Sequence, residues 1–241
     1  MIFNFNVRPA LILGILLFLC SWSTSAFADK RNWLETYPYW TQAQGELELE
    51  QWHNASDSIA DKPEEWLELE YGVTSRYMTS LYMVRDSGTL NYKAWKSENI
   101  YRLANPGELF LDPAVYVEYR NNSGTGDPDE LEAKIILQKY VGDLQLATNF
   151  VWEKHFAGNG IPATGLDFNR IHVAAAYPLS YPNVDGGVEF ARYVADNVTS
   201  VTPGVYASLS HNLRALVGWE IPIQGMAAGR IRTGVEWEFN Q

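Results

Sequence analysis

Seven glutamates stand at two-residue spacing in three runs: Glu46, Glu48 and Glu50, then Glu68 and Glu70, then Glu236 and Glu238. Side chains alternate along an extended chain, so each run gathers its carboxylates on one face and leaves Leu47, Leu49, Leu69 or Trp237 on the other. A wall of carboxylates can bias a conduit toward cations and against anions. The same groups, paired with arginine and lysine, can instead fill a narrow polar interior, and the sequence leaves both readings open.

Nucleophilic and metal chemistry is poorly provided for. Ser210 and His211 are adjacent and would point to opposite faces of a strand, so they cannot act as nucleophile and base. His53, with Ser56 and Asp57, falls in an expected loop and reads as solvated. His155 ends an expected strand, His172 shares a face with Arg170, and the four histidines lack metal-ligand spacing. Asp127, Asp129 and Glu130 lie in a loop without the full EF-hand pattern and read as solvent-facing rather than as a calcium site. There is no Gly-rich phosphate loop. No enzymatic activity, cofactor or metal is expected.

The elements that must carry the glutamates are strands. From Ala43 onward, apolar and polar residues alternate in segments of roughly ten, the length a tilted membrane strand needs. Strands are expected around Glu46 to Glu50, Trp66 to Tyr71, Tyr77 to Arg85, Leu90 to Leu103, Ala114 to Arg120 and Leu131 to Tyr140. Others are expected around Leu144 to Trp152, Phe168 to Tyr177, Gly187 to Ala195, Gly204 to Ser210, Leu213 to Ile221 and Arg230 to Gln241. The seventh is the clearest, with Leu144, Leu146, Thr148, Phe150 and Trp152 opposite Gln145, Asn149 and Glu153. Arg192 breaks the ninth, requiring either a bulge or a side chain reaching out to an interface. Short connections at Val73 to Ser75, Gly142-Asp143 and His211-Asn212 alternate with longer polar ones. Asn105 to Asp112 is long where a short turn is expected, and Arg85 to Gly88 is short where a loop is expected.

Residues 1–28 read as a secretion signal, with Arg8 as the positive region, Ala10 to Cys20 as the apolar run and Ala26-Phe27-Ala28 as the cleavage site. The apolar run falls short of the roughly 20 residues a spanning helix needs. Leu19 stands where a lipoprotein signal wants a small residue, so lipidation at Cys20 is not expected. Cleavage would remove the only cysteine, and with it any disulfide. It would also remove Arg8, so 18 basic residues become 17 against 29 acidic ones, a net charge of −12. That balance argues against a nucleic-acid partner. Residues 29–42, rich in aromatics and interrupted by Pro38, form either a periplasmic lead-in or a plug in the barrel mouth, and the sequence does not choose.

In the closing stretch Ile231, Thr233, Val235, Trp237 and Phe239 alternate with Arg230, Arg232, Gly234, Glu236 and Glu238. A chain ending in such an amphipathic strand with a near-terminal aromatic resembles the outer-membrane β-barrel proteins of Gram-negative bacteria. Tyr71-Gly72-Val73-Thr74-Ser75-Arg76 is similar to a G-[LV]-T-x-R turn in many proteobacterial barrels described loosely as transporters. Leu131-Glu132-Ala133-Lys134 with Leu137-Gln138-Lys139 and Gly142-Asp143 is similar to a hairpin of that group. The resemblance implies an all-β fold over residues 43–241, a transmembrane antiparallel up-and-down β-barrel of about twelve strands. Its last strand would close on its first, and the barrel-assembly machinery would read the C-terminal strand and deliver the chain into outer-membrane lipid. A porin-like passive channel for small solutes is the implied role. The rivals are a structural or sensing barrel with a plugged lumen, and a lipid-modifying enzyme such as the twelve-stranded phospholipase, whose His-x-Ser motif is missing here.

A soluble barrel would alternate in the same way with its apolar face inward. The secretion signal, the aromatic closing strand and aromatics near strand ends (Tyr71, Trp152, Tyr177, Trp219, Trp237, Phe239) favour lipid outside. The lumen would then be lined by Glu46, Glu48, Glu50, Glu68, Glu70, Glu118, Glu153, Glu220, Glu236 and Glu238. Arg120, Lys134, Arg170, His172, Arg214 and Arg232 would face them.

Overall fold

The computed structural model describes residues 31–56, 63–180, 183–225 and 228–239. The secretion signal, Asp29, Lys30, Asp57 and Asn240-Gln241 lie outside the described residues. Twelve strands follow in chain order: β1 (Leu47–Ser56), β2 (Glu64–Thr74), β3 (Tyr77–Asp86), β4 (Tyr92–Arg102), β5 (Asp112–Asn121) and β6 (Glu130–Val141), then β7 (Leu144–His155), β8 (Asp167–Pro178), β9 (Val184–Tyr193), β10 (Val198–Ser208), β11 (Leu213–Gln224) and β12 (Arg230–Phe239). Each pairs antiparallel with the next, and β12 pairs with β1 from Leu47 opposite Phe239 to Ser56 opposite Arg230, closing the barrel. Closure leaves no strand edge unpaired, the condition a sheet must meet to sit in hydrocarbon.

Side-chain alternation sorts the wall into two faces. Leu81, Val117, Val173, Val205, Val217 and Val235 are exposed on the outside, whereas Glu48, Glu50, Glu68, Glu70, Glu236 and Glu238 are buried on the inside. An apolar exterior around a polar interior inverts the arrangement of a soluble barrel and suits lipid. Tyr71, Tyr177, Trp237 and Phe239 face outward near one end, and Trp152 and Trp219 near the other.

Residues 75–76, 142–143 and 209–212 are short turns at one end of the barrel; residues 122–129 and 156–166 are loops at the other. The β4–β5 connection, residues 103–111, is the long exception at the turn end, as its sequence suggests. His53 and Ser56 belong to β1 rather than to a loop. They stand opposite Thr233 and Arg230 of β12, and a backbone ladder forms whatever the polarity of its side chains. Arg192 stays on the outer face at the loop end of β9, where its guanidinium donates to Thr199 Oγ1 and Asn197 Oδ1. The nearby irregularity lies in β10 between Thr199 and Ser200.

In the Tyr71-to-Arg76 stretch, Gly72, Thr74 and Arg76 each have a structural reason. Thr74 Oγ1 accepts from the N–H groups of Arg76 and Tyr77 and closes the β2–β3 turn. Arg76 donates to Asn105 of the β4–β5 connection. Gly72 lies against the turn formed by residues 43–46, where a Cβ would stand 1.9 Å from the Ala43 carbonyl oxygen. That turn is fastened by Gly45 N–H to Gly72 C=O and Gly72 N–H to Glu46 C=O.

Candidate functional site

The lumen holds residues 31–42. The segment rises from Arg31, bends at residues 34–36, and descends past Tyr37 and Tyr39 to Gln42 before the 43–46 turn starts β1. Trp33, Thr36 and Tyr39 are fully buried, and Asn32, Leu34, Tyr37, Thr41 and Gln42 nearly so. Burying each large apolar or aromatic side chain is worth roughly 1.5–3 kcal/mol.

Lumen side chains satisfy the segment's main chain almost as a neighbouring strand would. Glu189 on β9 receives the N–H groups of Leu34, Glu35 and Thr36 at 2.7, 3.0 and 2.7 Å, fixing the bend. Asn149 on β7 accepts from Tyr37 N–H and donates to Tyr37 C=O. Gln138 on β6 accepts from Tyr39 N–H. Pro38 between them has no N–H to satisfy and holds Tyr37 extended, which lets residues 37 and 39 reach successive wall amides. On the rising limb, Gln145 accepts from the Asn32 amide, and Arg214 donates to Arg31 C=O and Asn32 Oδ1. Gly218 on β11 leaves room for Leu34, whose Cδ1 would be 2.1 Å from a Cβ there.

Charges in the lumen are unevenly matched. Arg214 pairs with Glu236 at 3.3 Å and Arg232 with Glu35 at 3.7 Å. Arg170 lies between Glu132 and Glu153, Arg120 faces Glu64, and Arg230 approaches Glu220. Lys134 bonds Glu132 and sits 3.6 Å from the Tyr37 ring centroid, holding the segment by a cation–π contact. Lys96 pairs with Glu118 at 2.7 Å over the rings of Trp66 and Tyr82. The carboxylates of β12, β1 and β2 form a grid, Glu238–Glu48–Glu70 beside Glu236–Glu50–Glu68, each residue opposite its cross-strand neighbour.

Glu46 departs from the lumen assignment. It precedes β1, and its carboxylate accepts from Ala43 N–H, closing the turn below the lumen. The short run of alternation cannot tell the last turn residue from the first strand residue. Of the other fifteen assigned residues, eleven are buried and Glu153, Arg120, Arg170 and Arg232 border the cavity described below, with His172 buried opposite Asn149. Glu189, Asn149, Gln138 and Gln145, which hold the segment, have no role in the sequence reading. Their only signal is that each is polar on an inward position.

Ser210 and His155 stay apart from this arrangement. Ser210 Oγ donates to Asn212 within the β10–β11 turn, and His155 meets Glu153 at 2.9 Å on the rim. Asp129 is taken up by the Tyr119 hydroxyl, the Asn122 N–H and the Asn121 amide. These hydrogen bonds, led by that of Tyr119, hold its carboxyl below the usual range. It fastens the loop.

Above the bend, toward the loop end, a cavity of about 550 Å³ remains, bordered by Glu35, His172, Arg170, Arg230, Arg232 and the facing wall. Below it the buried side chains of the segment pack against the wall.

No family model matches the chain, and no curated protein matches it by sequence. Solved structures share its fold. A KdgM porin superposes with a TM-score of 0.59 at 11% identity, covering 80% of this chain and 99% of that one. A NanC porin gives 0.55 at 9%, covering 79% and 98%. The Acinetobacter baumannii outer membrane protein Omp33 gives 0.51 at 9%, covering 81% and 99%. The fold of this chain is that of outer-membrane porin barrels.

Proposed function

We propose that this chain is an outer-membrane channel for small solutes, held closed by its own N-terminal segment, with a carboxylate wall that favours cations once the segment moves. The turn end is then periplasmic and the cavity of about 550 Å³ is an outward vestibule. A cleaved secretion signal would deliver the chain across the inner membrane.

The observation that carries this reading is the way residues 31–42 are held. Their backbone is bound by side chains such as Asn149, Gln138 and Glu189 rather than by strand pairing. Side-chain contacts of that kind can be broken without dismantling the ladder of the barrel. A KdgM porin is also known in complex with disordered oligogalacturonate. The carboxylate grid of this lumen argues for the opposite charge preference. A permanently closed structural barrel is the second reading, favoured by the full burial of Trp33 and Tyr39.

The test is a cysteine pair, Leu34→Cys with Gly218→Cys, in the refolded mature chain, which otherwise has no cysteine once the signal is gone. Brief single-channel openings of the intact protein should vanish when the pair is oxidised and return on reduction. Openings that persist through a verified crosslink contradict the proposal.

A further inference from the structure

We propose that Glu48, Glu50, Glu68 and Glu70 bind a divalent, oxygen-seeking cation of the Ca²⁺ class at the foot of the N-terminal segment. Carboxylate oxygens of Glu48, Glu50 and Glu70 lie within 4.8 Å of one another, and all three residues are buried. Ca²⁺ takes its oxygens at about 2.3–2.6 Å, so ligands on a shared ion stand at most about 5 Å apart. The three oxygens already meet that limit.

Glu68 supplies a separate indication. It is completely buried, among the described residues no donor from outside the carboxyl cluster reaches its oxygens, and its carboxyl group lies against those of Glu50 and Glu70. Glu48 stands directly opposite Glu70, and Glu50 directly opposite Glu68. Two facing carboxyl pairs share one dry corner, where like charges repel and all four can ionise together only with a cation among them. Among the described residues the basic group on this set is Arg31, 3.5 Å from Glu50, one guanidinium for four carboxyl groups. A dication would neutralise the excess and give Glu68 its partner.

The space fits as well. A small cavity of about 30 Å³ has Gln42, Glu48, Glu50 and Glu70 in its lining, enough to admit a small ion. Several carboxylates from one protein site suit Ca²⁺, whereas Mg²⁺ usually keeps several waters and takes only one or two carboxylates. Gln42 donates its amide nitrogen to Glu48 at 3.1 Å and Glu70 at 3.0 Å, while its carbonyl oxygen has no partner. Turning that amide over would present the oxygen to the ion and tie the segment's foot to the wall. The site does not depend on whether the segment ever leaves the lumen.

Terbium luminescence tests it, because Trp52 donates to Glu50 at 2.6 Å and would sensitise an ion bound there. Chelator-treated, refolded mature barrel should show one saturable Tb³⁺ site that Ca²⁺ displaces far better than Mg²⁺. Glu48→Gln with Glu70→Gln should weaken binding by at least about tenfold, while Glu153→Gln, a lumen carboxylate nearer the loop end, should not. Only variants that migrate as folded, heat-modifiable barrels are scored. A wild-type barrel with no saturable site overturns the proposal without any variant. Unchanged affinity in the double variant overturns it equally.

Discussion

Asn149 on β7 pairs through one side-chain amide with both backbone groups of Tyr37, accepting from its N–H at 2.6 Å and donating to its C=O at 3.0 Å. A single side chain so imitates the hydrogen-bonding edge of a strand. The segment in the lumen is therefore docked as a strand would be docked, but on groups that can let go.

Asn149→Ala removes both bonds and leaves two buried backbone groups of Tyr37 unpaired. The docked state is expected to lose about 1–3 kcal/mol. Hydrogen exchange at the Tyr37 amide should become roughly ten- to a hundredfold faster, with the strand amides of β7 unchanged. Equal protection in the variant would mean that packing alone holds the segment.

Glu189 gathers three consecutive N–H groups at the bend. Glu189→Gln replaces a charged two-oxygen acceptor with one oxygen and an NH₂ that faces those donors, and charge-assisted bonds are the stronger ones. Trypsin should then cut after Arg31 in the variant much faster than in the wild-type protein. A variant as resistant as wild type would remove Glu189 from the anchoring role.

Gly72→Ala would place a methyl 1.9 Å from the Ala43 carbonyl oxygen. The obstacle is backbone, so the 43–46 turn must shift, at a cost of about 1–3 kcal/mol. Urea-dependent folding into vesicles measures the loss, and a neutral result would mean that the turn relaxes freely.

The strands were legible because alternation is a local property. Leu144 to Trp152 could be assigned from its own residues, and β12 from its own. The segment in the lumen was not, because Trp33, Tyr37 and Tyr39 follow no period, and their partners Gln138, Asn149 and Glu189 come from far along the chain. Each of those partners, taken alone, is one more polar residue on an inward face. The pairing of Glu48 with Glu70 was hidden for a similar reason. Strand register decides it, and register is set by the turn at Gly72 and by barrel closure rather than by either run of glutamates.

Val217 sits mid-strand on the outer face, opposite Val205 and Thr233. Val217→Arg is expected to cost roughly 2–4 kcal/mol of folding into bilayers. Leu146 lies two residues from the β6–β7 turn, and Leu146→Arg should cost only about 0–1 kcal/mol, as for interfacial depth. Equal losses at both sites would contradict the assigned membrane position.

The proposed closure of the lumen by residues 31–42 is read most directly from planar-bilayer recording of the refolded mature chain beside a form lacking those residues, both shown to be inserted barrels. The intact chain is expected to be nearly silent and the shortened one to conduct steadily with cation selectivity. Steady conductance from the intact chain, or silence from the shortened barrel, would contradict the account.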